Sequence, residues 1–245
     1  MDIFNKYNFE IYNAVYKNKD YADELNQLEF YFNKHKNYDI KNIIDLGCGT
    51  GNFSSEIIKR GYELDGVDLS DSFVEYIKKN NLFNVFKGDI TTFHSSKEYD
   101  AAISMFHVVS YLPDLAGLNK FLNNTQRLLK LNGLLIFDFW NSACVLSEKP
   151  QIRSKNFKLN DFTINRIVKP ITDKNKNIVN VNLNFKILSK SNKMVSKFEE
   201  NHSMQHYSLD VMKYFCEHNG FEVLEIFNIQ NNKLSINNSW GLTIV

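Results

Sequence analysis

A chain of 245 residues, 43% of them apolar, can bury one α/β core with an embellishment, or two small cores, without disulfide staples. Its 29 Lys and Arg against 28 Asp and Glu leave a net charge of +1, which excludes a general nucleic-acid-binding surface, although basic residues recur between Arg153 and Lys197. Cys48, Cys144 and Cys216 form no CxxC pair, no run approaches the ~18 apolar residues of a membrane span, and Met1-Asp2-Ile3-Phe4 is no secretory leader. The expectation is a cytoplasmic protein with free thiols and neither membrane nor nucleic acid as partner.

In chain order, residues 3–18 are rich in Phe and Tyr, and Asp20 caps a helix with Tyr21, Leu25, Leu28 and Phe32 on one face, ending near Lys36-Asn37. A strand over 42–46 runs into Gly47-Cys48-Gly49-Thr50-Gly51 and a helix over 52–60, closed by Gly61. Strand 63–67 ends in Asp68-Leu69-Ser70, and a helix capped by Ser70 or Asp71 turns Phe73, Val74 and Ile77 inward. Strand 85–87 leads to Gly88-Asp89-Ile90, strand 101–105 to Phe106-His107, and helix 114–130 to strand 134–139 through Asn132-Gly133. This alternation predicts an α/β fold with a mostly parallel sheet and helices on both faces.

After Trp140-Asn141 the period changes. Val179, Val181, Leu183, Phe185 and Ile187 alternate with Asn180, Asn182, Asn184 and Lys186, the signature of a half-buried antiparallel strand. A partner precedes it at 162–169, across the loop 173–177, and a third strand is expected at 193–203. Helix 208–219, capped by Ser208, and strands 221–229 and 240–245 complete the chain. With no repeat and no linker, 1–245 reads as one domain, with a helical segment over 1–38 and an antiparallel β insertion over 142–205.

The glycine loop organises the rest. Strand, three alternate glycines and helix form the start of a βαβ unit whose helix N-terminus offers free N–H groups. The spacing is G-x-G-x-G, not the G-x-G-x-x-G of dinucleotide sites, which counts against a nicotinamide-dependent oxidoreductase. Asp45, two residues before Gly47, would repel a pyrophosphate and attract a cation. S-adenosylmethionine, with an ammonium, a sulfonium and no phosphate, suits such a site. Asp68, 21 residues after Gly47, is placed to accept from both ribose hydroxyls, or else to cap a helix. Asp89 can accept from the adenine amine while Ile90 packs on the ring; its alternative is a turn aspartate.

Asp45-Leu46-Gly47-Cys48-Gly49-Thr50-Gly51, Val67-Asp68-Leu69-Ser70, Gly88-Asp89-Ile90 and Tyr99-Asp100 together resemble the successive motifs of class I S-adenosylmethionine-dependent methyltransferases. The resemblance implies a Rossmann-like seven-stranded sheet whose last strand enters antiparallel, with 221–229 and 240–245 as the closing hairpin. It implies cofactor contacts from Asp45, Gly47, Cys48, Gly49, Gly51, Asp68, Leu69, Asp89, Ile90 and Met105. Residues Tyr12 to Tyr21 resemble the aromatic lid of small-molecule and sugar methyltransferases, adding Tyr12 and Tyr21 to the cofactor set. Phe137-Asp138-Phe139-Trp140-Asn141 resembles bacterial methyltransferases of surface-polysaccharide (capsule) pathways. In similar nucleotide-sugar methyltransferases the insertion walls the acceptor pocket and helps to form a homodimer.

Methyl transfer needs an acceptor atom held on axis about 3 Å from the methyl, and a base if that atom carries a proton. His107, just past strand four, is the candidate base, or a histidine bonded to a loop carbonyl. Tyr16 and Tyr111 are candidates to orient the acceptor, or packing residues. Trp140, Asn141 and His206 are the candidate acceptor-binding residues, and His202 lies close by in sequence. Arg153, Lys155, Lys158, Arg166 and Lys169 would suit a phosphate or diphosphate, or a solvated sheet face. No His/Cys/acid spacing points to a metal. The expected activity is methyl transfer to O or N of a small polar metabolite, probed against two alternatives: a non-catalytic S-adenosylmethionine-binding subunit and the oxidoreductase.

Overall fold

A computed structural model describes residues 8–17, 19–36, 38–148, 150–159, 162–228 and 236–245. The sequence expectations at 3–7, Asn37 and 229 lie outside the described residues. Helices α1 (Asn8–Tyr16) and α2 (Tyr21–His35) precede β1 (Asn42–Leu46), α3 (Asn52–Lys59), β2 (Glu63–Asp68), α4 (Asp71–Lys79), β3 (Asn84–Lys87) and β4 (Tyr99–Ser104). A 3₁₀ turn (Val108–Tyr111), α5 (Leu115–Leu128), β5 (Leu129–Asn141) and α6 (Ser142–Ser147) follow. Then come β6 (Arg153–Leu159), β7 (Phe162–Asp173), β8 (Ile178–Ser189), β9 (Met194–Tyr207), α7 (Leu209–His218), β10 (Ile226–Phe227) and β11 (Gly241–Ile244).

The helix starts follow the sequence. Asp20 accepts from the Asp23 N–H, Ser70 from the Phe73 N–H, Asp114 from the Gly117 N–H and Ser208 from the Val211 N–H. Strands β3, β2, β1, β4 and β5 lie side by side and parallel, and β11 joins β5 antiparallel with β10 beyond it. Strand order reverses between β1 and β4, so the glycine loop after β1 opens at the switch point where α/β sheets bind ligands. Alternate residues serve opposite faces. Ile43, Ala101, Ile103, Leu134 and Ile136 pack under Leu25, Leu28, Phe53 and Ile57 of α2 and α3. Ile44, Ala102, Leu135 and Phe137 meet Phe121, Leu122, Met212 and Cys216 of α5 and α7.

The insertion departs from expectation in two ways. It has four antiparallel strands rather than three, and it continues the main sheet through β9, which pairs parallel with β5 at Trp140↔His206 and Asn141↔Tyr207. Strand β6 escaped the sequence reading because Arg153–Lys158 offers a single apolar residue, Phe157. The alternation along β8 is as read: Val179, Val181, Leu183 and Phe185 face the cavity described below, while an amide of Asn182 reaches Asn201 at 2.6 Å on the outer face. The closing hairpin is shorter than expected, since β10 holds two residues. No described helix is long and apolar enough to cross a membrane.

Gly51 shows how tightly the loop is built. Its φ is 77°, in the left-handed region, and a Cβ there would stand 2.7 Å from the Phe83 ring. Gly51→Ala should therefore lower stability by about 1–3 kcal/mol, read as a shifted urea midpoint at constant m-value. An unchanged midpoint would show that the loop relaxes without strain.

Candidate functional site

The loops at the carboxyl ends of the strands, α1, and one face of the insertion sheet enclose a continuous cavity of about 1500 Å³. At its floor the Gly47 and Cys48 N–H groups donate to the Val67 carbonyl at 2.8 and 3.1 Å, which holds the glycine loop against β2. Asp68 ends β2 and accepts from the Gly49 N–H at 2.7 Å through one oxygen and from the Ser70 N–H at 2.8 Å through the other. Two backbone donors thus lock its carboxylate, which lines the cavity.

Asp45 is 3% exposed, and its Oδ2 accepts from Ser54 Oγ at 2.6 Å. Burial pushes its carboxyl up to about 7, against the pull of that bond, and the nearby Asp68 charge adds to the rise. The acid is therefore only partly ionised at neutral pH, not the standing negative charge expected from its position in sequence. Burial likewise holds the Cys48 thiol well above its usual range and so protonated. Asp89 accepts from the Thr91 N–H and hydroxyl at 2.8 and 2.7 Å, a turn geometry that still leaves the carboxylate exposed at the cavity rim, with Ile90 buried beside it and Leu69 67% exposed.

Helix α1 roofs this floor. Tyr12 packs on Tyr16 at 4.5 Å and toward Phe73 at 6.0 Å, and Asn13 accepts from Asn52 at 2.9 Å. Tyr21 meets Phe53 and Phe106 at 6.3 and 5.8 Å, and Met105 is buried below. All of these except Asn13 line the cavity.

His107 has φ 65° and donates its N–H to Asp138 Oδ1 at 2.7 Å. Its Nδ1 lies 3.1 Å from Asp138 Oδ2 without the angle of a hydrogen bond. The alternative role, a ring bonded to a loop carbonyl, is not what the structure has; a buried carboxylate backs the imidazole. Next to it, Lys19 lies 3.4 Å from the Phe106 ring centroid and 3.2 Å from Glu24. Burial lowers the Lys19 pKa and raises that of Glu24, so desolvation outweighs their mutual attraction. The sequence reading took only the tyrosines from this segment and missed Lys19 and Glu24.

Tyr111 and Trp140 line the cavity, but three expected site residues do not. Asn141 is 3% exposed and structural: it accepts from the Ala143 N–H and donates to the carbonyls of Ile236 and Ser239 at 3.0 and 3.1 Å. His206 is 1% exposed, bonded to Ser142 Oγ at 2.8 Å, and burial pushes its imidazole below the usual range. Gly51 faces Phe83 instead of the cavity. The change of partner along β9, not its alternation, separates the two histidines, which share a parity. His202 pairs with Val181, whose side chain faces the cavity, whereas His206 lies where β9 has turned into the β5 junction. Alternation along β9 puts Glu200, which the sequence did not single out, on the same face as His202.

Of the five basic residues of the insertion, Arg153 and Arg166 reach the cavity and Lys155, Lys158 and Lys169 do not line it. Arg166 stacks 5.2 Å from the Phe157 ring centroid, with its Nε buried and without a hydrogen-bond partner. Residues paired across the insertion share a face, so Arg153, Val168, Leu183 and Glu200 form one row from its outer strand to its inner one. Three strand spacings put the ends of that row ~14 Å apart at the backbone.

Comparison with known proteins agrees with this geometry. The model of a methyltransferase domain family matches residues 13–226. A Streptomyces venezuelae dTDP-3-amino-3,4,6-trideoxy-alpha-D-glucopyranose N,N-dimethyltransferase is 23% identical over 134 residues, 54% of this chain and 56% of that protein. Among solved structures, an S-adenosylmethionine-dependent methyltransferase from Clostridium acetobutylicum ATCC 824 superposes with a TM-score of 0.79 at 19% identity, covering 98% of both chains. The sugar N-methyltransferase KedS8 from Streptoalloteichus sp. ATCC 53650 superposes at 0.80 and 17% identity, covering 96% of this chain and 92% of its own. The nicotinamide and non-catalytic readings fall with these findings. The chain belongs to the methyltransferase domain family, as an enzyme that uses S-adenosylmethionine.

Proposed function

We propose that the enzyme methylates an amine or hydroxyl of a nucleotide-linked sugar, or a related surface-polysaccharide precursor, in the cytoplasm. The observation that carries this reading is the row that ends in Arg153, with Arg166 on the neighbouring strand. A guanidinium whose Nε is buried and unpartnered needs an acceptor, and a diphosphate offers several. Glu200, Tyr111 and Trp140 occupy the inner part of the cavity, where a sugar joined to that diphosphate would sit. A homodimer through the insertion would use the open edge of β6.

In this reading Asp68 grips the ribose, Asp89 takes the adenine amine, Ile90 and Leu69 flank the ring, and Asp45 receives the methionine ammonium. Tyr12, Tyr16 and Tyr21 close over the sulfonium with Met105 behind. The glycine loop lets the cofactor backbone approach at Gly47 and Gly49. The bound cofactor supplies an activated methyl; the chain supplies alignment, exclusion of water and a place for the acceptor's proton. Two groups at the wall can take that proton: His107 backed by Asp138, and Tyr111 backed by His202.

Asp68→Ala should weaken S-adenosylmethionine binding by at least tenfold by calorimetry, and unchanged affinity would remove Asp68 from the site. Asp45 makes a pH-dependent claim. Its raised carboxyl favours the protonated folded state, so free-protein stability contributed by this group is full below pH ~4 and lost as pH rises through 7. A neighbouring ammonium reverses the preference, so cofactor affinity should rise roughly tenfold between pH 6 and 8 and stay nearly flat in Asp45→Asn. Parallel pH profiles in both proteins would separate Asp45 from the cation. For the acceptor, Arg166→Ala should raise KM for dTDP-3-amino-3,4,6-trideoxyglucose about tenfold or more with kcat little changed; equal KM values would refute the diphosphate assignment.

A further inference from the structure

A chain of hydrogen bonds crosses the acceptor side of the cavity from the main sheet to the insertion. Tyr111 Oη lies 2.9 Å from His202 Nδ1, and His202 Nε2 lies 3.2 Å from Glu200 Oε2. Tyr111 ends the 3₁₀ turn after β4, while Glu200 and His202 stand two apart on β9 and so share its inner face. The His202 and Glu200 side chains are 6% and 9% exposed, Tyr111 is 42% exposed, and all three line the cavity. A carboxylate against Nε2 selects the tautomer that carries its proton there and leaves the Nδ1 lone pair facing the tyrosine. The hydroxyl then donates to Nδ1, and its oxygen lone pairs are left for a ligand.

We propose that Tyr111, His202 and Glu200 form a proton relay that strips an ammonium acceptor before methyl transfer, which makes the site an amine methyltransferase site. This rests on the nucleotide-sugar reading and narrows its acceptor atom to nitrogen. A proton of the acceptor ammonium passes to Tyr111 Oη while the tyrosine proton passes to His202 Nδ1, and Glu200 holds the resulting imidazolium. The freed nitrogen lone pair forms the N–C bond as the C–S bond breaks, and the C–S electron pair returns to sulfur. The sulfonium becomes a neutral thioether, and the methylated nitrogen carries the positive charge. The imidazolium returns its proton to solvent once product leaves.

Tyr111 is the catalytic residue of the three, and His202 and Glu200 act through it. A bound hydroxyl keeps its lone pairs and can lose its proton as the new bond forms, whereas an aliphatic ammonium has no lone pair to attack with until a proton is removed. His107 is worse placed for this task. Its Nδ1 faces the buried Asp138, and its Cε1 packs against Gly241 of β11, 2.8 Å from where a Cβ there would be, so two edges of the ring are already occupied. Tyr12 and Tyr16 of α1 and Glu200 act electrostatically on Tyr111, and Arg153 of β6 and Arg166 of β7 line the same cavity.

Two measurements test the relay. Histidine ¹⁵N NMR of the free protein should show His202 as the Nε2–H tautomer, with Glu200→Gln moving the population toward Nδ1–H. An Nδ1–H tautomer in the unaltered protein overturns the relay, whatever the enzyme methylates. With dTDP-3-amino-3,4,6-trideoxyglucose as acceptor, Glu200→Gln should lower kcat with KM little changed. His202→Asn and Tyr111→Phe should each lower kcat about a hundredfold while cofactor affinity by calorimetry, which also reports folding, stays within about twofold. Rates near wild type in both variants overturn the proposal. A wild-type enzyme that binds S-adenosylmethionine but leaves the aminosugar unmethylated defeats the nucleotide-sugar reading instead, and the His202 tautomer still decides the relay.

Discussion

Strand β5 ties the two halves of the cavity together. Residues 134–137 lie against β4, 137–140 against β11, and its last two residues against His206 and Tyr207 of β9. Two parallel pairs are a short ladder, with too few hydrogen bonds to orient a four-stranded sheet alone. Packing supplies the rest from both sides. Tyr207 is buried in the core with Phe139, Phe121 and Leu242, while Ile11 of α1 is buried against Phe157, Ile164 and Phe185 on the insertion's inner face. The amide of Asn141 fastens the segment around Ile236 to the same junction. The roof helix, the insertion and the end of β5 therefore depend on one another, and a defect at any of them would misalign the acceptor wall against the cofactor floor.

The acids of the floor differ in how they are satisfied, and that difference divides their tasks. Asp68 has a backbone N–H on each oxygen, so it is a strut between the glycine loop and β2 as much as a ligand group. Asp100 shows the same use without any ligand role: it takes the N–H groups of Lys41 and Asn42 at 2.8 Å and Lys130 at 2.6 Å. Those bonds overcome the cost of its burial and hold its carboxyl below the usual range. Asp45 has one hydroxyl for the same degree of burial, and its carboxyl rises. The floor thus holds one fully bonded acid and one under-bonded acid, and under the proposed reading the first takes the ribose hydroxyls while the ammonium completes the second.

Much of this was legible in the sequence because local rules and tertiary structure agree over residues 20–140. Caps at Asp20, Ser70 and Ser208, the glycine spacing, and acids at the ends of the first three strands fix element type and place Asp45, Asp68 and Asp89 at one edge of the sheet. The acceptor side was less legible for a physical reason. Which side chains of β9 point inward depends on register against β8 and on where the strand turns into β5, and a one-residue change of register exchanges the two faces. Hence His206 and Asn141 were expected in the pocket and are buried in the junction, while Glu200 was overlooked. Strand β6 was invisible because an edge strand needs little apolar alternation of its own, and β10 was overestimated because Phe221–Glu225 is apolar enough for a strand yet only Ile226 and Phe227 pair with β11.

The turn after β4 joins these arguments. Phe106 and His107 both occupy the left-handed region, with φ of 67° and 65°, where neither has glycine's freedom and the bulky Phe106 is a steric outlier. Such positions cost of order 1 kcal/mol or more each and persist only where the surroundings enforce them. Here the enforcement is visible on every side. Asp138 takes the His107 N–H, Phe53 and Tyr21 pack edge-on against Phe106, and Gly241 leaves space for the imidazole. On the far side Ser110 donates its N–H to the His107 carbonyl at 3.0 Å and accepts the Trp140 N–H at 3.0 Å, while Val108 fills the space a Cβ on Gly47 would need. Were β4 to run on without this reversal, Tyr111 could not come back to meet His202 of β9, and the glycine loop would lose the wall that Val108 gives it. The strained pair is thus the point at which the cofactor floor, the end of β5 and the acceptor wall are brought into one geometry, and its cost is met by contacts that belong to all three.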